Sequence, residues 1–295
     1  MASLPLKRAS YIHKCLKEDG YMVIPNVLSD DEVEEARKMF DDWRGSVNNL
    51  DVFHRKIDPH GIYKYHQAGH QRFAWFIRTR PEVQKIFKFL LNTDDMIVSY
   101  DGCCYIPQDE KRKDKCWTHT DQAPKTKGVA SYQGFISLTD NKERTLQVYT
   151  GSHNLHEKYF KDRGLTGSKN WNLIDETYLK EIEDKKTKLQ VKKGDLVIWE
   201  SRVFHQNTYG KPNSEERLVQ YVSFMARNNP RNTKHNQEKR IKYFNEKRMT
   251  GHWQAPVNVN GLQPHTYGDN TLLIDYDSLP KIELDDMIEE INKLI

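Results

Sequence analysis

The sequence contains few cysteines and no long hydrophobic run, and these absences exclude several classes of protein. Its four cysteines, Cys15, Cys103, Cys104 and Cys116, lack the paired spacing of zinc sites and disulfide frameworks. No stretch approaches the ~20 consecutive apolar residues that span a bilayer, and residues 1–16 lack the apolar core of a secretory signal peptide. We therefore expect a cytoplasmic protein without a membrane partner.

The sequence also lacks a large excess of either sign of charge. The 46 Lys and Arg residues against 42 Asp and Glu residues give a net charge of only +4, which does not by itself favour nucleic acid as a partner. The strongest local imbalance lies in residues 227–248, with eight Lys or Arg against two Glu. The sequence has no internal repeat or low-complexity linker, and its 37% hydrophobic content suits a chain with a core. It predicts a single domain over residues 1–295.

The hydrophobic pattern changes from helical to strand-like after about residue 95. Helical spacing predicts helices at 6–16, 29–43 and 81–91. Short β-branched or aromatic segments between turn residues predict strands at 21–24, 96–106, 128–138, 145–149, 189–191, 196–199 and 218–226. This order indicates a mainly β fold with flanking helices, the double-stranded β-helix (jelly roll, cupin-like). We expect its core at about 14–227, with a C-terminal extension, 228–295, packed on that core.

A histidine and an acid stand two residues apart in the segment Trp117-Thr118-His119-Thr120-Asp121. On an extended segment His119 and Asp121 point to the same side, and they supply two ligands of the 2-His-1-carboxylate triad that holds non-haem Fe(II). The pattern alone also fits a surface pair, because the chain has 12 histidines. A third ligand is available at His205, 86 residues after His119, if a closed double sheet brings the two segments together.

Arg217 opens the strand that follows His205. A guanidinium fork binds a carboxylate bidentately, and a metal with open positions can chelate the other end of a 2-oxo acid. Arg217 can equally form a surface ion pair with Glu215 or Glu216. The residues alone leave both interpretations open.

Four separate segments occur in the order found in one known family. Glu18–Ser29 is similar to its N-terminal strand and following helix, Trp117–Asp121 to its His-x-Asp segment, Leu146–His153 to its Gly-Ser-His turn, and Gly194–Arg217 to its distal histidine and arginine block. On these segments the chain, over about residues 14–227, resembles the phytanoyl-CoA dioxygenase-like branch of the Fe(II)- and 2-oxoglutarate-dependent oxygenases. Its departures, Thr118 directly before His119 and Thr150 before the Gly-Ser-His turn, affect turns rather than the ligands.

The resemblance implies a set of site residues and a reaction. The implied Fe(II) ligands are His119, Asp121 and His205, and the implied residues for the co-substrate 2-oxoglutarate are Arg217, Gln133, Asn207 and Tyr100. Arg217 would bind the far carboxylate, whereas strand packing is the alternative for Gln133, Asn207 and Tyr100. With O₂ such an enzyme, a dioxygenase, hydroxylates an unactivated C–H bond of a small molecule and releases succinate and CO₂. The retained Asp121 favours hydroxylation, because related halogenases lack this carboxylate.

Two other functions remain open on the sequence alone. A related oxygenase acting on nucleic acid or protein is favoured if residues 227–248 form a basic face beside the site. A non-catalytic jelly-roll binding module is the other alternative, because a fold does not fix a function. The histidine-rich residues 54–70 predict a solvated loop, with a substrate lid as the alternative. The sequence gives neither the substrate nor the oligomeric state.

Overall fold

A computed structural model describes residues 4–295, which form two compact units. The strand unit comprises Leu4–Pro25 and Ile106–Arg217, and the helix unit comprises Asn26–Tyr105 and Leu218–Ile295. Residues 1–3 of the predicted domain lie outside the described residues. The predicted extension, 228–295, falls in the helix unit together with residues 26–105, and the boundaries of a single domain stay a prediction.

The helices and strands alternate irregularly along the chain. The α-helices are α1 (Leu6–Glu18), α2 (Asp30–Ser46), α3 (Leu50–Ile57), α4 (Arg72–Thr79), α5 (Pro81–Leu91), α6 (His156–Asp162), α7 (Glu176–Glu181), α8 (Lys234–Asn245) and α9 (Ile288–Asn292). The strands are β1 (Tyr21–Ile24), β2 (Ile62–Tyr63), β3 (Met96–Val98), β4 (Cys103–Ile106), β5 (His119–Thr120), β6 (Tyr132–Ser137), β7 (Leu146–Tyr149), β8 (Asn172–Leu173), β9 (Lys186–Lys188), β10 (Leu196–Glu200), β11 (His205–Asn207), β12 (Arg217–Val222) and β13 (Phe224–Ala226).

The strand unit is built from antiparallel ladders. One sheet has the order β8-β5-β11-β7-β9, and a second ladder runs β1-β10-β6. Strand β10 is buried along its whole length, as its continuous apolar run predicts, whereas β1 alternates between half-buried and buried residues. The prediction of a fold rich in antiparallel strands with helices is confirmed.

The helix unit packs its helices around aromatic side chains. Helix α2 begins at a capping box, in which Ser29 Oγ accepts from the Glu32 backbone N–H and the Glu32 carboxylate accepts from the Ser29 N–H. On its buried face Phe40 and Trp43 contact Phe73 of α4, with ring centroids 5.3 and 5.6 Å away. Helices therefore form a larger part of the helix unit than the predicted mainly β fold with flanking helices indicated.

The histidine-rich residues 54–70 are not a solvated loop, so that prediction is wrong. His54 lies inside α3 and stacks on Tyr63 at 4.0 Å, and both His54 and His70 are fully buried. The Nδ1 atom of His54 donates to the Leu50 carbonyl, and the Nε2 atom of His70 donates to the Arg248 carbonyl. Imidazoles with one satisfied nitrogen can be buried like other aromatic rings, which hydrophobic spacing alone does not reveal.

The predicted strand 96–106 is broken into β3 and β4 by residues 99–102. Gly102 lies just before β4, where a Cβ atom would lie 1.8 Å from the carbonyl oxygen of Tyr63. Strand β2, which contains Tyr63, pairs with β4 at this point. The close approach of the two backbones therefore requires glycine at this position.

The basic residues 227–248 fold largely as α8. Arg240 on this helix is buried, donates to the carbonyls of Val98 and Leu294, and lies over the ring of Tyr100. One of the eight basic side chains therefore belongs to the interior of the helix unit. Among residues 4–295, none of the helices combines the length and apolar character needed to cross a membrane.

Candidate metal centre

Two histidines face each other across the β5–β11 ladder. His119 and His205 are Cα partners in this antiparallel pair, so their side chains leave the same face of the sheet. Asp121 follows His119 by two residues and joins them: its Oδ2 lies 3.6 Å from His119 Nε2 and 3.2 Å from His205 Nε2. One ligand atom from each residue lies within 4.8 Å of the others, which is close enough for the three side chains to hold one metal ion.

The backbone orients both imidazoles toward this point. His119 Nδ1 donates to the Trp117 carbonyl at 3.1 Å, and His205 Nδ1 donates to the Val203 carbonyl at 2.9 Å. Each bond leaves the Nε2 lone pair directed at the cluster, the arrangement found in metal-binding histidines. Burial lowers the pKa of His119, which favours the neutral imidazole that binds a metal. The donor set therefore fits Fe(II), with positions left for exogenous ligands.

Gln133 contacts the carboxylate of this cluster. From β6, its Nε2 donates to Asp121 Oδ2 at 3.0 Å, and both side chains are buried. The Asp121 backbone N–H donates to the Ser201 carbonyl at 3.0 Å, which fixes the main chain below the carboxylate. The expected contact of Gln133 with a co-substrate stays a prediction, and its observed partner is the acid of the cluster.

Arg217 is fully buried in the strand unit. Its Nη2 donates to Asn207 Oδ1 and its Nη1 to the Arg144 carbonyl, each at 3.2 Å, and the guanidinium lies 5.0 Å from the centre of the Phe135 ring. Its Nε is buried without a hydrogen-bond partner. Because Asn207 stands two residues after His205 on β11, Arg217 contacts the same strand that carries one histidine of the cluster.

The alternative partner of Arg217, Glu215, is engaged elsewhere. Its Oε1 accepts from the backbone N–H groups of Lys142, Glu143 and Arg144 at 2.6–3.1 Å. In the part of the chain that the structure describes, no carboxylate forms an ion pair with Arg217. A buried guanidinium of this kind offers a binding site for an anion.

Tyr100 belongs to the helix unit rather than to the strand unit that holds the cluster. Its ring packs against Trp75 and Phe244, and its hydroxyl donates to the Arg240 carbonyl at 3.3 Å. The structure thus brings together six of the seven predicted site residues within the strand unit. A role for Tyr100 at the site stays a prediction.

The Gly-Ser-His turn holds the segment before His205. Ser152 Oγ accepts from the Phe204 N–H at 2.9 Å, while His153 contacts the Lys17 carbonyl at 3.2 Å instead of the cluster. Gly20 faces the His153 ring so closely that a Cβ atom would lie 2.4 Å from Nδ1. The turn therefore positions the distal histidine through its neighbour Phe204, whereas His153 belongs to the loop and not to the cluster.

Sequence reasoning missed two residues that support the site. Gln206 accepts through Oε1 from the Trp117 N–H and the Thr118 hydroxyl, which ties β11 to the start of β5. Arg144 is fully buried and donates to the carbonyls of Tyr209, Pro107 and Glu110. Gln206 lies between His205 and Asn207 on β11, so strand alternation directs it to the opposite face and does not mark it as a site residue. Nothing local distinguishes Arg144.

The chain is similar in sequence to a known protein over part of its length. A protein of Aspergillus versicolor, "Ava biosynthesis cluster protein O", is 28% identical over 188 residues. The match covers 59% of this chain and 61% of that relative, so the chain spans about three fifths of the relative's length.

Solved structures share the fold at low sequence identity. They include the non-haem alpha-ketoglutarate-dependent carbocyclase SnoK (TM-score 0.50, 19% identical, 76% of this chain and 85% of that chain) and EctD of S. alaskensis with 2-oxoglutarate and 5-hydroxyectoine (0.50, 18%, 76% and 76%). GIG2 of Candida albicans has a TM-score of 0.55 at 15% identity and covers 75% of this chain and 63% of that chain. These similarities establish the fold alone.

The family model for phytanoyl-CoA dioxygenase (PhyH) matches residues 16–208, well over half of the chain. The matched region contains His119, Asp121 and His205, and it ends nine residues before Arg217. The resemblance inferred from the four sequence segments is thereby confirmed. This chain belongs to the phytanoyl-CoA dioxygenase family of Fe(II)- and 2-oxoglutarate-dependent oxygenases.

Proposed function

We propose that this protein is a dioxygenase that hydroxylates an unactivated C–H bond of a small molecule with O₂, using Fe(II) and 2-oxoglutarate and releasing succinate and CO₂. The observation that carries the proposal is the convergence of His119, Asp121 and His205 within 4.8 Å on one face of an antiparallel sheet. We also propose that the antiparallel ladders form a double-stranded β-helix. The cytoplasmic location remains part of the proposal.

His119, Asp121 and His205 would hold the iron. Their Nε2 and carboxylate atoms converge, and three protein ligands leave positions for 2-oxoglutarate and O₂. Bound iron and 2-oxoglutarate would supply the oxidising chemistry. The protein fixes the ligands before the metal arrives, because both histidines donate Nδ1–H to backbone carbonyls and Asp121 accepts from Gln133.

Arg217 would bind the distal carboxylate of 2-oxoglutarate. Its guanidinium is buried, and its Nε has no hydrogen-bond partner. Its Nη2 donates to the side chain of Asn207, which stands two residues after His205 on β11. A buried carboxylate without a cation is strongly unfavourable, and a guanidinium supplies both charge and a two-pronged donor. Asn207 would orient the fork by accepting from Nη2.

Aromatic rings shield the candidate metal centre from water. The Trp117 ring stacks on the imidazole of His119 at 4.9 Å, and Trp199 lies 5.2 Å from the ring of His205. Both histidines are more than nine-tenths buried. Exclusion of water protects reactive species formed during an oxidation and strengthens electrostatic contacts with the co-substrate.

The proposal is tested by binding first and turnover second. Under anaerobic conditions, calorimetry should detect one Fe(II) per chain and then one 2-oxoglutarate that binds only after the metal. A turnover screen over small acids, acyl thioesters, sugars and polycyclic scaffolds should then give succinate in equal amount to a hydroxylated product. Absence of both metal and 2-oxoglutarate binding in folded protein would exclude the dioxygenase and favour the non-catalytic alternative.

A further inference from the structure

Trp199 of β10 connects the two ladders of the strand unit at the candidate metal centre. Its ring centroid lies 5.2 Å from that of His205, which belongs to β11 in the other sheet. Within its own sheet Trp199 is the Cα partner of Gln133, whose amide donates to Asp121. Directly opposed residues of an antiparallel pair project to the same side, so Trp199 lies on the face that meets the metal ligands.

The same indole ring adjoins the ring on which Arg217 packs. Phe135 follows Gln133 by two residues on β6 and faces the same way, with its ring centroid 6.0 Å from that of Trp199. The Arg217 guanidinium lies 5.0 Å from the centre of the Phe135 ring. Trp199 therefore has a metal ligand, His205, as one neighbour and the ring beneath the buried arginine as another. A co-substrate held by the metal and by Arg217 has to extend between these two places.

The indole N–H of Trp199 has no hydrogen-bond partner. Its side chain is 2% exposed, and the Nε1 atom is buried without an acceptor. A buried indole N–H usually finds a partner, because an unpaired donor loses its hydration and gains nothing in return. The Nε atom of Arg217 is buried and unpartnered in the same way. Two unsatisfied donors thus lie in this part of the strand unit, and a ligand that complements them carries acceptor atoms.

An unpartnered indole by itself does not mark a binding site. Trp43 and Trp75 of the helix unit are also buried without a partner for Nε1. They pack against Phe73 and Phe244, and the cluster of metal ligands found among the described residues lies in the strand unit. What distinguishes Trp199 is its location, because its unsatisfied donor belongs to a ring that lies beside a metal ligand.

From these contacts we propose that Trp199 is a co-substrate-binding residue whose indole N–H donates a hydrogen bond to an oxygen of 2-oxoglutarate. The two carboxylates and the oxo group of this molecule are acceptors only, which complements the two unsatisfied donors. The inference rests on the proposed function and deepens it, since it adds a second side chain to the co-substrate site assigned there to Arg217. The indole contributes affinity without adding a charge.

The first test observes the indole N–H directly in the full-length wild-type protein loaded with Zn(II), which replaces iron by an ion without unpaired electrons. With ¹⁵N-labelled tryptophan the six tryptophans of the chain give six indole signals. The Trp199 signal is the one missing from Trp199→Phe, and it is also identified by nuclear Overhauser contacts with the Phe135 ring. Addition of 2-oxoglutarate should move this signal downfield and slow its exchange with solvent, because the N–H gains a charged acceptor.

The second test measures affinities by calorimetry with Zn(II) and 2-oxoglutarate. Trp199→Phe removes the donor but keeps an aromatic ring beside His205, so 2-oxoglutarate should bind about 5-fold more weakly. Zn(II) affinity should stay unchanged, because Trp199 is not a ligand. Trp75→Phe is the matched control, since it removes an equally buried and unpartnered indole N–H from the helix unit. It should leave both affinities unchanged, and circular dichroism melting verifies that each variant is folded.

The proposal is overturned if the wild-type protein binds 2-oxoglutarate while the Trp199 signal stays in place, or if Trp199→Phe binds 2-oxoglutarate as tightly as the wild type does. A loss of Zn(II) and 2-oxoglutarate affinity in equal proportion in Trp199→Phe would also overturn it, because that result indicates a structural role. Failure of the proposed function looks different. In that case the Zn(II)-loaded wild-type protein would not bind 2-oxoglutarate at all, and the inference about Trp199 would fall with it.

Discussion

The two units bury histidines in similar ways but to different ends. In the strand unit His119 and His205 each bond a backbone carbonyl through Nδ1, and in the helix unit His54 and His70 also bond a carbonyl through one ring nitrogen. The difference is the carboxylate of Asp121, which lies within 3.6 Å of both Nε2 atoms in the strand unit. Burial and one ring hydrogen bond are therefore a general solution for packing imidazole, whereas convergence on an acid marks a metal site.

Buried arginines show the same contrast. In the helix unit Arg78 donates to the carbonyls of Gly69 and Asp101, and Arg240 donates to the carbonyls of Val98 and Leu294. Arg217 of the strand unit instead contacts the side chain of Asn207, two residues from His205. A buried guanidinium alone does not indicate an anion site, and its connection to the ligand strand is what distinguishes Arg217.

The largest expected effect tests the comparison between the buried histidines of the two units. His205→Ala leaves two ligands, so we expect Fe(II) affinity to fall by more than ~100-fold, because even the loss of a residue that only supports a ligand costs 10–100-fold. Coupled 2-oxoglutarate turnover should disappear with it. Anaerobic calorimetry measures the affinity, and succinate detection measures the turnover.

His54→Phe is the matched control in the helix unit, because phenylalanine can keep the stacking on Tyr63. Metal affinity in this variant should equal that of the wild type. Full metal binding by folded His205→Ala protein, or its loss in His54→Phe, would contradict the assignment of the site to the strand unit.

The second effect tests the comparison between Arg217 and the buried arginines of the helix unit. Arg217→Ala should weaken 2-oxoglutarate binding by at least ~10-fold, since charge-assisted hydrogen bonds are worth about 1.5–3 kcal/mol each. Arg217→Lys should recover part of this loss, because an ammonium keeps the charge but lacks the fork. Iron affinity, measured separately, should stay the same in both variants. Unchanged 2-oxoglutarate affinity in Arg217→Ala would move the co-substrate pocket elsewhere.

Local signals in the sequence predicted the parts of the site that lie on regular elements. The His-x-Asp spacing on an extended segment predicted that His119 and Asp121 share a side, and the family resemblance added His205 as the third ligand. In the structure, ligand atoms of these three side chains lie within 4.8 Å of one another. Strand β8 (Asn172–Leu173) was not predicted, because two residues show no periodicity and its pairing with β5 spans more than fifty residues. The edge of the sheet that β8 forms beside β5 could therefore not be predicted from the sequence.

The helix unit was harder to predict for a different physical reason. Helix α4 buries every residue from Phe73 to Thr79, so it lacks the apolar stripe by which surface helices are detected. Helix α5, which has proline at its first position and one apolar face, was predicted with its observed bounds, Pro81–Leu91. Helices with caps and two unlike faces can be predicted from sequence, and those buried on all sides cannot.

A smaller effect sharpens the role of Gln133. Because its amide donates to Asp121 Oδ2, Gln133→Leu should lower Fe(II) affinity by about 10-fold through a less well-oriented carboxylate. If Gln133 instead contacts the co-substrate, the variant should weaken 2-oxoglutarate binding and leave iron affinity unchanged. Separate titrations of the two ligands distinguish the roles, and Gln133→Asn, which keeps the amide on a shorter side chain, should recover little of the lost iron affinity.

The smallest expected effect returns to the histidines of the helix unit. Burial lowers the pKa of His54 to about 3, against about 6.5 in the unfolded chain. As the pH falls through 6.5 the unfolded chain binds a proton that folded His54 does not, so stability is lost below that pH. Between pH 7 and pH 6 this amounts to about 0.7 kcal/mol for one such histidine. Burial also lowers the pKa of His66 and His70, to about 4 and about 3, which adds to the loss.

His54→Phe isolates one histidine's share, because phenylalanine does not titrate. Urea unfolding of metal-free protein at pH 7 and pH 6 should show a fall in the free energy of unfolding that is smaller in the variant by about 0.7 kcal/mol. Comparison of the two pH values within each protein cancels any constant cost of the substitution, and few carboxylates titrate in this range. An equal fall in both proteins would mean that His54 is protonated in the folded state as readily as in the unfolded chain, and the contrast between the two units would then rest on metal binding alone.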